Sequence, residues 1–189
     1  MTNRESSHRL DDEQARMTWQ NPEVILNEIG LKPGMTFVDI GCGQGFFTIP
    51  AAKIVGNSGK VYASDINQTN INKLREKVNN AGLTNVNLET AKAEDLKLCD
   101  ACADIIFFGI VLHDFENPLK VLANAHSILK PTGKLVNLDW KKESMEIGPP
   151  LYIRFSERKA KQLLEASGFK VQLTEKSGLY HYIVITTLG

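Results

Sequence analysis

The residues best suited to chemistry are clustered in Val38-Asp39-Ile40-Gly41-Cys42-Gly43-Gln44-Gly45, where a short apolar run gives way to a helical pattern. Glycines at alternate positions remove Cβ atoms, permit positive φ and let a ligand approach the backbone. A dinucleotide-binding turn has the spacing G-x-G-x-x-G, so that a pyrophosphate can rest on a helix N-terminus. Here the spacing is G-x-G-x-G, and Asp39 stands two positions before Gly41. A carboxylate at that point repels a pyrophosphate and attracts an ammonium group. A tight turn that binds nothing is the plain structural alternative. Asp65 follows Gly45 by twenty positions and ends Val61-Tyr62-Ala63-Ser64-Asp65. An acid at the end of a second strand can accept two hydrogen bonds from a ribose diol. It could also be the N-cap of a helix over 66–80. Beside the glycine turn the ribose reading is the stronger.

Further candidates follow in Ile110-Val111-Leu112-His113-Asp114-Phe115. A histidine in this position can take a proton from a hydroxyl, an amine or a carbon acid, with Asp114 to orient it. The alternative is a loop histidine that only packs. His126 reads as a surface or packing residue, and His8 and His181 lack chemical context. Cys99-Asp100-Ala101-Cys102 is a C-x-x-C pair with no second pair to complete a four-ligand zinc site. The expectation is structural or incidental thiols, with Cys42 packed inward and no metal. Trp19, Trp140, Tyr152 and Phe155 are candidates for the wall and lid of a substrate pocket, or for ordinary edge packing.

The elements that must position these residues alternate along the chain. Thr36–Ile40, Lys60–Ser64, Val86–Thr90, 104–108 and 134–138 are short, apolar and rich in branched or aromatic residues, as strands are. Between them, Ile71, Leu74 and Val78 fall on one helical face, and Asn117-Pro118 opens a helix that runs towards Pro131. Repeated strand–helix–strand units give a parallel sheet with helices on both faces. Near the end, Ser156 can cap a helix to Ala166. The runs 169–173 and 180–187, separated by Ser177-Gly178, predict an antiparallel hairpin.

The 189 residues are 42% hydrophobic, with 22 basic and 22 acidic side chains. That is enough for one core, and it gives no basic surplus for nucleic acid. No apolar run approaches the ~20 residues that span a bilayer. The polar N-terminus lacks a signal-peptide core. A cytoplasmic chain with reduced thiols is the expectation, folded as one domain over 1–189 with an N-terminal helical arm or lid (1–30) and a core (35–187). Oligomeric state is not legible.

The motif Asp39-Ile40-Gly41-Cys42-Gly43-Gln44-Gly45 followed by Asp65 resembles the class I S-adenosylmethionine-dependent methyltransferases. Ala93-Glu94-Asp95-Leu96, the strand at 104–108 and Leu129-Lys130-Pro131-Thr132-Gly133-Lys134-Leu135 match in order. Within that family the chain is most similar to the small-molecule branch around the ubiquinone/menaquinone biosynthesis methyltransferases. The resemblance implies a doubly wound, mostly parallel seven-stranded α/β sheet in the order 3-2-1-4-5-7-6, strand seven antiparallel. It implies S-adenosylmethionine as cofactor, S-adenosylhomocysteine as its product, and a small organic or lipid-like acceptor, quinone-like included. By analogy Asp39, Gly41, Gly43 and Gly45 hold the methionine end, with Asp39 on the ammonium and the glycine-loop N–H groups facing the carboxylate. Asp65 and the adjoining Ile66 take the ribose, Ala93 and Glu94 the adenine, and Gly109 lines the sulfonium region. One departure is Lys92, where relatives often carry an Asp or Asn that pairs with the adenine amino group; Glu94, Asp95 or backbone alone must replace it. Two other functions compete: a protein that binds the cofactor without catalysis, and a nicotinamide-dependent oxidoreductase, which the G-x-G-x-G spacing with Asp39 disfavours.

Overall fold

The computed structural model of the chain describes residues 13–189, so His8 and the first part of the expected arm lie outside the described residues. On β1 (Thr36–Ile40) the side chains alternate between faces, and Phe37, Val38, Asp39 and Ile40 are all buried. A strand buried on both sides needs helices on both sides. On one face, α2 (Pro22–Glu28) and α3 (Thr48–Val55) press Leu26, Ala51 and Val55 against Phe37, Phe107 and Val136. On the other, α5 (Pro118–Ile128) and α6 (Glu157–Ala166) press Leu122, Ala125 and Leu164 against Val38, Ile106 and Phe108. The third helix-facing cluster belongs to α4 (Gln68–Asn80), whose Ile71, Leu74 and Val78 pack with Ala63 and Cys42.

The remaining strands are β2 (Lys60–Asp65), β3 (Val86–Thr90), β4 (Ala103–Gly109), β5 (Leu129–Trp140), β6 (Phe169–Ser177) and β7 (His181–Leu188). They form one seven-stranded sheet in the order β3-β2-β1-β4-β5-β7-β6, the order implied by the family resemblance. β1 to β5 pair in parallel, and β7 runs antiparallel to both β5 and β6. The fold is the doubly wound α/β arrangement that the resemblance implied.

Three local differences from the sequence reading have physical causes. The helix α5 stops at Ile128 short of Pro131, because a residue before proline is held out of the helical region. The chain enters β5 at once, and the pairing jumps from Ala103↔Leu129 to Ile105↔Lys134 across the bulge that contains Pro131. The helix α4 begins at Gln68, with the Asn67 side chain capping the Thr69 N–H at 2.9 Å, so Asp65 is not its cap. Cys99 and Cys102, expected as reduced thiols, form a disulfide. The turn between them is folded back by Ala101 at φ 45, with the Ala101 and Cys102 amides bonded to Ser127 O and Ile128 O, and this brings the two Cα atoms within 5.9 Å.

The turn from β1 to α3 needs its glycines for different reasons. Gly41, Gly43 and Gly45 have φ of 77, 53 and 90, which side-chain-bearing residues rarely adopt. A Cβ on Gly41 would come within 2.5 Å of Val111 Cγ2, and one on Gly45 would overlap Leu74 Cδ1. A Cβ on Gly43 would meet nothing. Gly45→Ala should therefore destabilise the fold by ~1–3 kcal/mol from backbone strain and by a similar amount from overlap. Leu74→Ala alone should cost ~2–5 kcal/mol. Urea denaturation of the double variant should show a loss smaller than the sum, because the shortened side chain removes the overlap. Strictly additive losses would mean that Leu74 does not hold Gly45 in place.

Candidate functional site

The crossovers from β1 to β2 and from β1's other neighbour, β4, to β5 leave in opposite directions. Open α/β sheets have a crevice at such a point, beyond the carboxyl ends of the strands. A cleft of about 530 Å³ lies there, with Asp65, Ile66, Ala93 and Glu94 at one end and His113 and Trp140 at the other. A smaller lobe of about 270 Å³ adjoins it, lined by Arg16, Asp39, Gly43 and Gly109. Gly41, Asp65, Val111 and Asp114 line both. All but one of the residues nominated from sequence for catalysis or cofactor binding thus line this cleft or its lobe. The exception is Gly45, which sits behind the turn against Leu74.

Asp39 shares a face of β1 with Phe37, so its carboxylate points towards α3. There the Thr48 hydroxyl donates to Oδ2 at 2.6 Å. Burial pushes the Asp39 pKa up to about 7; the Thr48 bond and the Arg16 charge pull the other way, and the charge of Asp65 adds to the rise. The small lobe therefore holds a carboxylate that gains from any cation placed against it. Arg16, on α1 (Glu13–Met17), is a residue the sequence reading did not single out. It is almost wholly buried, with its guanidinium 3.8 Å from the Phe46 ring centroid and its Nε donating to Gln20 Oε1 at 2.6 Å. Burial lowers its pKa to about 10, against the raising charges of Asp39 and Glu13, so it stays cationic. Lys77, on α4, fastens α1 in place by donating to Glu13 Oε1 and Gln44 O.

The amides of the glycine turn are mostly spoken for. Gly41 and Cys42 donate to Ser64 O at 2.8 and 2.9 Å, and Gly45 donates to Cys42 O at 3.0 Å. Gly43 donates to Asp65 Oδ2 at 2.8 Å. These four N–H groups do not face the cleft as free donors, which corrects the expectation that the turn's amides receive a carboxylate. Asp65 Oδ1 accepts from the Asn67 N–H at 2.8 Å and from Asn70 Nδ2 at 3.4 Å. A carboxylate has about four acceptor sites, so room remains for a further donor at the cleft.

Ala93 and Glu94 belong to a single 3-10 turn, Ala93–Asp95. Asn124 of α5 holds it, donating Nδ2 to Ala93 O and Glu94 O at 3.2 and 2.8 Å. Lys92 leans to Glu116 at 3.4 Å. Asp95 is drawn off to Lys120 at 2.8 Å, so of the two acids offered as substitutes for the missing one at Lys92, Glu94 is the one at the cleft.

Elsewhere in the cleft, His113 lies beside a residue the sequence reading missed. Its Nδ1 lies 2.8 Å from Oδ1 of Asp139, a short but poorly aligned contact, whereas Asp114 Oδ2 stands 3.6 Å from Nε2. Of the two carboxylates, Asp139 stands nearer to the ring than Asp114. Burial alone would lower the His113 pKa; the contact with Asp139 and the charges of Asp139 and Asp114 outweigh it and raise the pKa above its ordinary value. Asp139 follows Asn137 on the inner face of β5, a pattern that an apolar-strand search passes over. Of the four aromatics proposed as a pocket wall, Trp140 lines the cleft. Trp19 stacks on His181 at 5.4 Å and sits 5.7 Å from Trp140. Tyr152 is exposed, and Phe155 packs beneath Lys159. Buried Arg154 ties the chain between 141 and 155 together by donating to the carbonyls of Lys141, Glu143, Ile147 and Pro149. His126 packs edge-on against Phe169, as a packing residue would. Among the described residues no three His, Cys, Asp or Glu side chains converge as a metal site.

Comparison with known proteins agrees with this geometry. The family described as "Methyltransferase domain" matches residues 31–175. The ubiquinone/menaquinone biosynthesis C-methyltransferase UbiE of Shewanella pealeana is 35% identical over 132 residues, 69% of this chain and 53% of that one. The Marinomonas protein of the same name is 32% identical over 76% of this chain and 56% of its own length. The match thus spans about half the length of these curated relatives. A SAM-dependent methyltransferase from Aquifex aeolicus superposes with a TM-score of 0.91 at 37% identity, covering 96% of each chain. The [4+2]-cyclase SpnF shares the fold alone, with a TM-score of 0.77 at 15% identity over 88% of this chain and 80% of its own. On the match of residues 31–175 and on its sheet order, the chain belongs to the methyltransferase domain family, in the class I S-adenosylmethionine-dependent architecture.

Proposed function

We propose that residues 1–189 act as one methyltransferase domain, an arm over 1–30 closing on a core over 35–187, and that it methylates a small organic or lipid-like acceptor from S-adenosylmethionine. The observation that carries this reading is the joined cleft, which brings Asp39, Asp65 and the Ala93 turn together with His113, itself backed by Asp139. The cofactor, when bound, supplies a methyl group on a positively charged sulfur. Asp65 would accept the ribose hydroxyls beside Ile66, and the Ala93–Glu94 turn would border the adenine. Asp39 would hold the ammonium, with Gly43 leaving open space for the chain between and Gly41 and Gly109 lining the lobe.

His113 suits an acceptor that must lose a proton. With Asp139 beside Nδ1, that nitrogen keeps its hydrogen and Nε2 is left with the lone pair that can take the acceptor's proton. Asp139 then stabilises the imidazolium. The acceptor end is walled by Trp140, Pro149 and Ile153, which favour a flat, apolar molecule and keep water out. A phenol or quinol-like ring satisfies both demands. The names of the matched C-methyltransferases agree with such a ring. Transfer of radiolabelled methyl from S-adenosylmethionine to a panel of phenols, quinols and aliphatic amines tests the reading, with label expected in the ring compounds.

Two outcomes follow from the charges. Asp39, with its pKa near 7 in the ligand-free chain, must ionise to hold an ammonium. Its raised pKa also costs folded-state stability as pH rises from the ordinary carboxylate range through that value. Calorimetric affinity for S-adenosylhomocysteine should rise with pH, by at most about tenfold per unit, and level off above about pH 7. Asp39→Asn should bind more weakly and lose the rise; a flat profile in the unaltered protein would contradict the role of Asp39. For catalysis, neutral His113 is the active form, so the methylation rate should climb with pH through a midpoint above about 6.5. His113→Gln should lower the rate by about 10²–10⁴ and leave S-adenosylhomocysteine binding intact. Asp139→Asn should move the midpoint down, since the contact that raises it is gone. A rate unchanged in His113→Gln would remove the base from the mechanism.

A further inference from the structure

The small lobe is lined by opposite charges. Asp39 stands at the end of β1, and Arg16 comes from α1, outside the sheet altogether. The guanidinium is held over Phe46 and lies 5.4 Å from the Phe47 ring centroid, so the two aromatic rings fix its position. Its bond to Gln20 uses Nε, and Arg16 lines the lobe with a guanidinium whose planar fork is the group that matches a carboxylate. The usual alternative for binding a carboxylate here is the glycine turn. Its amides at Gly41, Cys42, Gly43 and Gly45 are already donated within the protein. A zwitterion entering the lobe would thus find a cation-binding wall in Asp39 and an anion-binding wall in Arg16.

We propose that Arg16 is the residue that reads the α-carboxylate at the amino-acid end of the cofactor, and that this carboxylate tightens the hold on α1 that Lys77 already provides. The assignment rests on the methyltransferase reading and adds a positioning and specificity residue to it. Two consequences follow. The site discriminates in favour of thioether nucleosides that keep the carboxylate. Its first helix is held most firmly when such a ligand is present, because the buried guanidinium then gains an anion in the same lobe. Without the carboxylate, Arg16 faces a ligand whose amine carries the same charge as itself.

The test compares S-adenosylhomocysteine with S-adenosyl-3-thiopropylamine, which keeps the amine and lacks the carboxylate. Calorimetric titration of the full chain should give about tenfold to a hundredfold weaker S-adenosylhomocysteine binding in Arg16→Gln. Binding of the thiopropylamine should be unchanged or tighter. Arg16→Lys should recover part of the loss, since it restores the charge without the fork. In the unaltered protein, trypsin cleavage after Arg16 should be slowed by S-adenosylhomocysteine and not by the thiopropylamine or adenosine, a readout that needs no variant. Equal losses for both ligands would show that Arg16 only shapes the lobe through Phe46, and would overturn the proposal, as would undiminished S-adenosylhomocysteine binding in Arg16→Gln or protection from trypsin that ignores the carboxylate. Failure of the unaltered chain to bind S-adenosylhomocysteine at all would be a different result, one that removes the methyltransferase reading on which the proposal stands.

Discussion

The hydrogen bond from the Gly43 amide to the Asp65 carboxylate ties together the two strand ends that make the cleft. It joins the turn after β1 to the end of β2, beside the bonds from the Gly41 and Cys42 amides to Ser64 O. Much else depends on it. Gly43 sits at φ 53 with open space where a Cβ would be, so the turn is free to approach a ligand only while its backbone is pinned. Asp65 is pinned in turn by the Asn67 amide, which places its carboxylate at the rim before any ligand arrives. Groups already in place do not have to be ordered by the ligand, and preorganisation of this kind improves binding without new contacts.

The same edge collects buried charge, and the charges are arranged in opposed pairs. Asp39 faces Arg16 at one end, and Asp139 stands beside His113 at the other. Removing charged groups from water is costly, and only close partners repay the cost. In Asp39 the partner in the ligand-free chain is inadequate, which is why its pKa rises to about 7. His113 shows the reverse balance, since its carboxylate partners overcome burial. One end of the cleft is therefore set to gain from a cation and the other to accept a proton. His181, packed between Trp19 and Trp140, is a contrast: burial, with nearby cations, lowers its pKa to about 3, and it serves as a neutral packing residue.

The strands and most of the cleft were legible because they depend on local pattern, whereas the sheet order came only with the family resemblance. Strand periodicity places Phe37 and Val38 on opposite faces, and glycine spacing marks the turn beside Asp39. Asn117-Pro118 fixes the start of α5 to the residue. The parts that were not legible depend on contacts between distant segments. Arg16 reads as one more charge in a polar arm until α1 is seen lying against Phe46. Asp139 reads as the polar end of a strand, and its contact with His113 exists only because β5 lies next to β4. Asp114 was the natural partner for His113 by adjacency, yet neighbours in sequence on a 3-10 turn do not necessarily face each other. The amide accounting of the glycine turn was equally out of reach, since Ser64 and Asp65 come from a different strand.

The central claim is that this edge recognises an adenosine carrying an amino-acid tail, and not a pyrophosphate. Calorimetric titration of the full chain with S-adenosylhomocysteine and, separately, with NADH tests it most directly. The account predicts one site per chain for S-adenosylhomocysteine and no measurable heat with NADH at the same concentration, because Asp39 repels a phosphate and the amides of Gly41, Cys42, Gly43 and Gly45 are already used. Saturable binding of NADH with none of S-adenosylhomocysteine would contradict it.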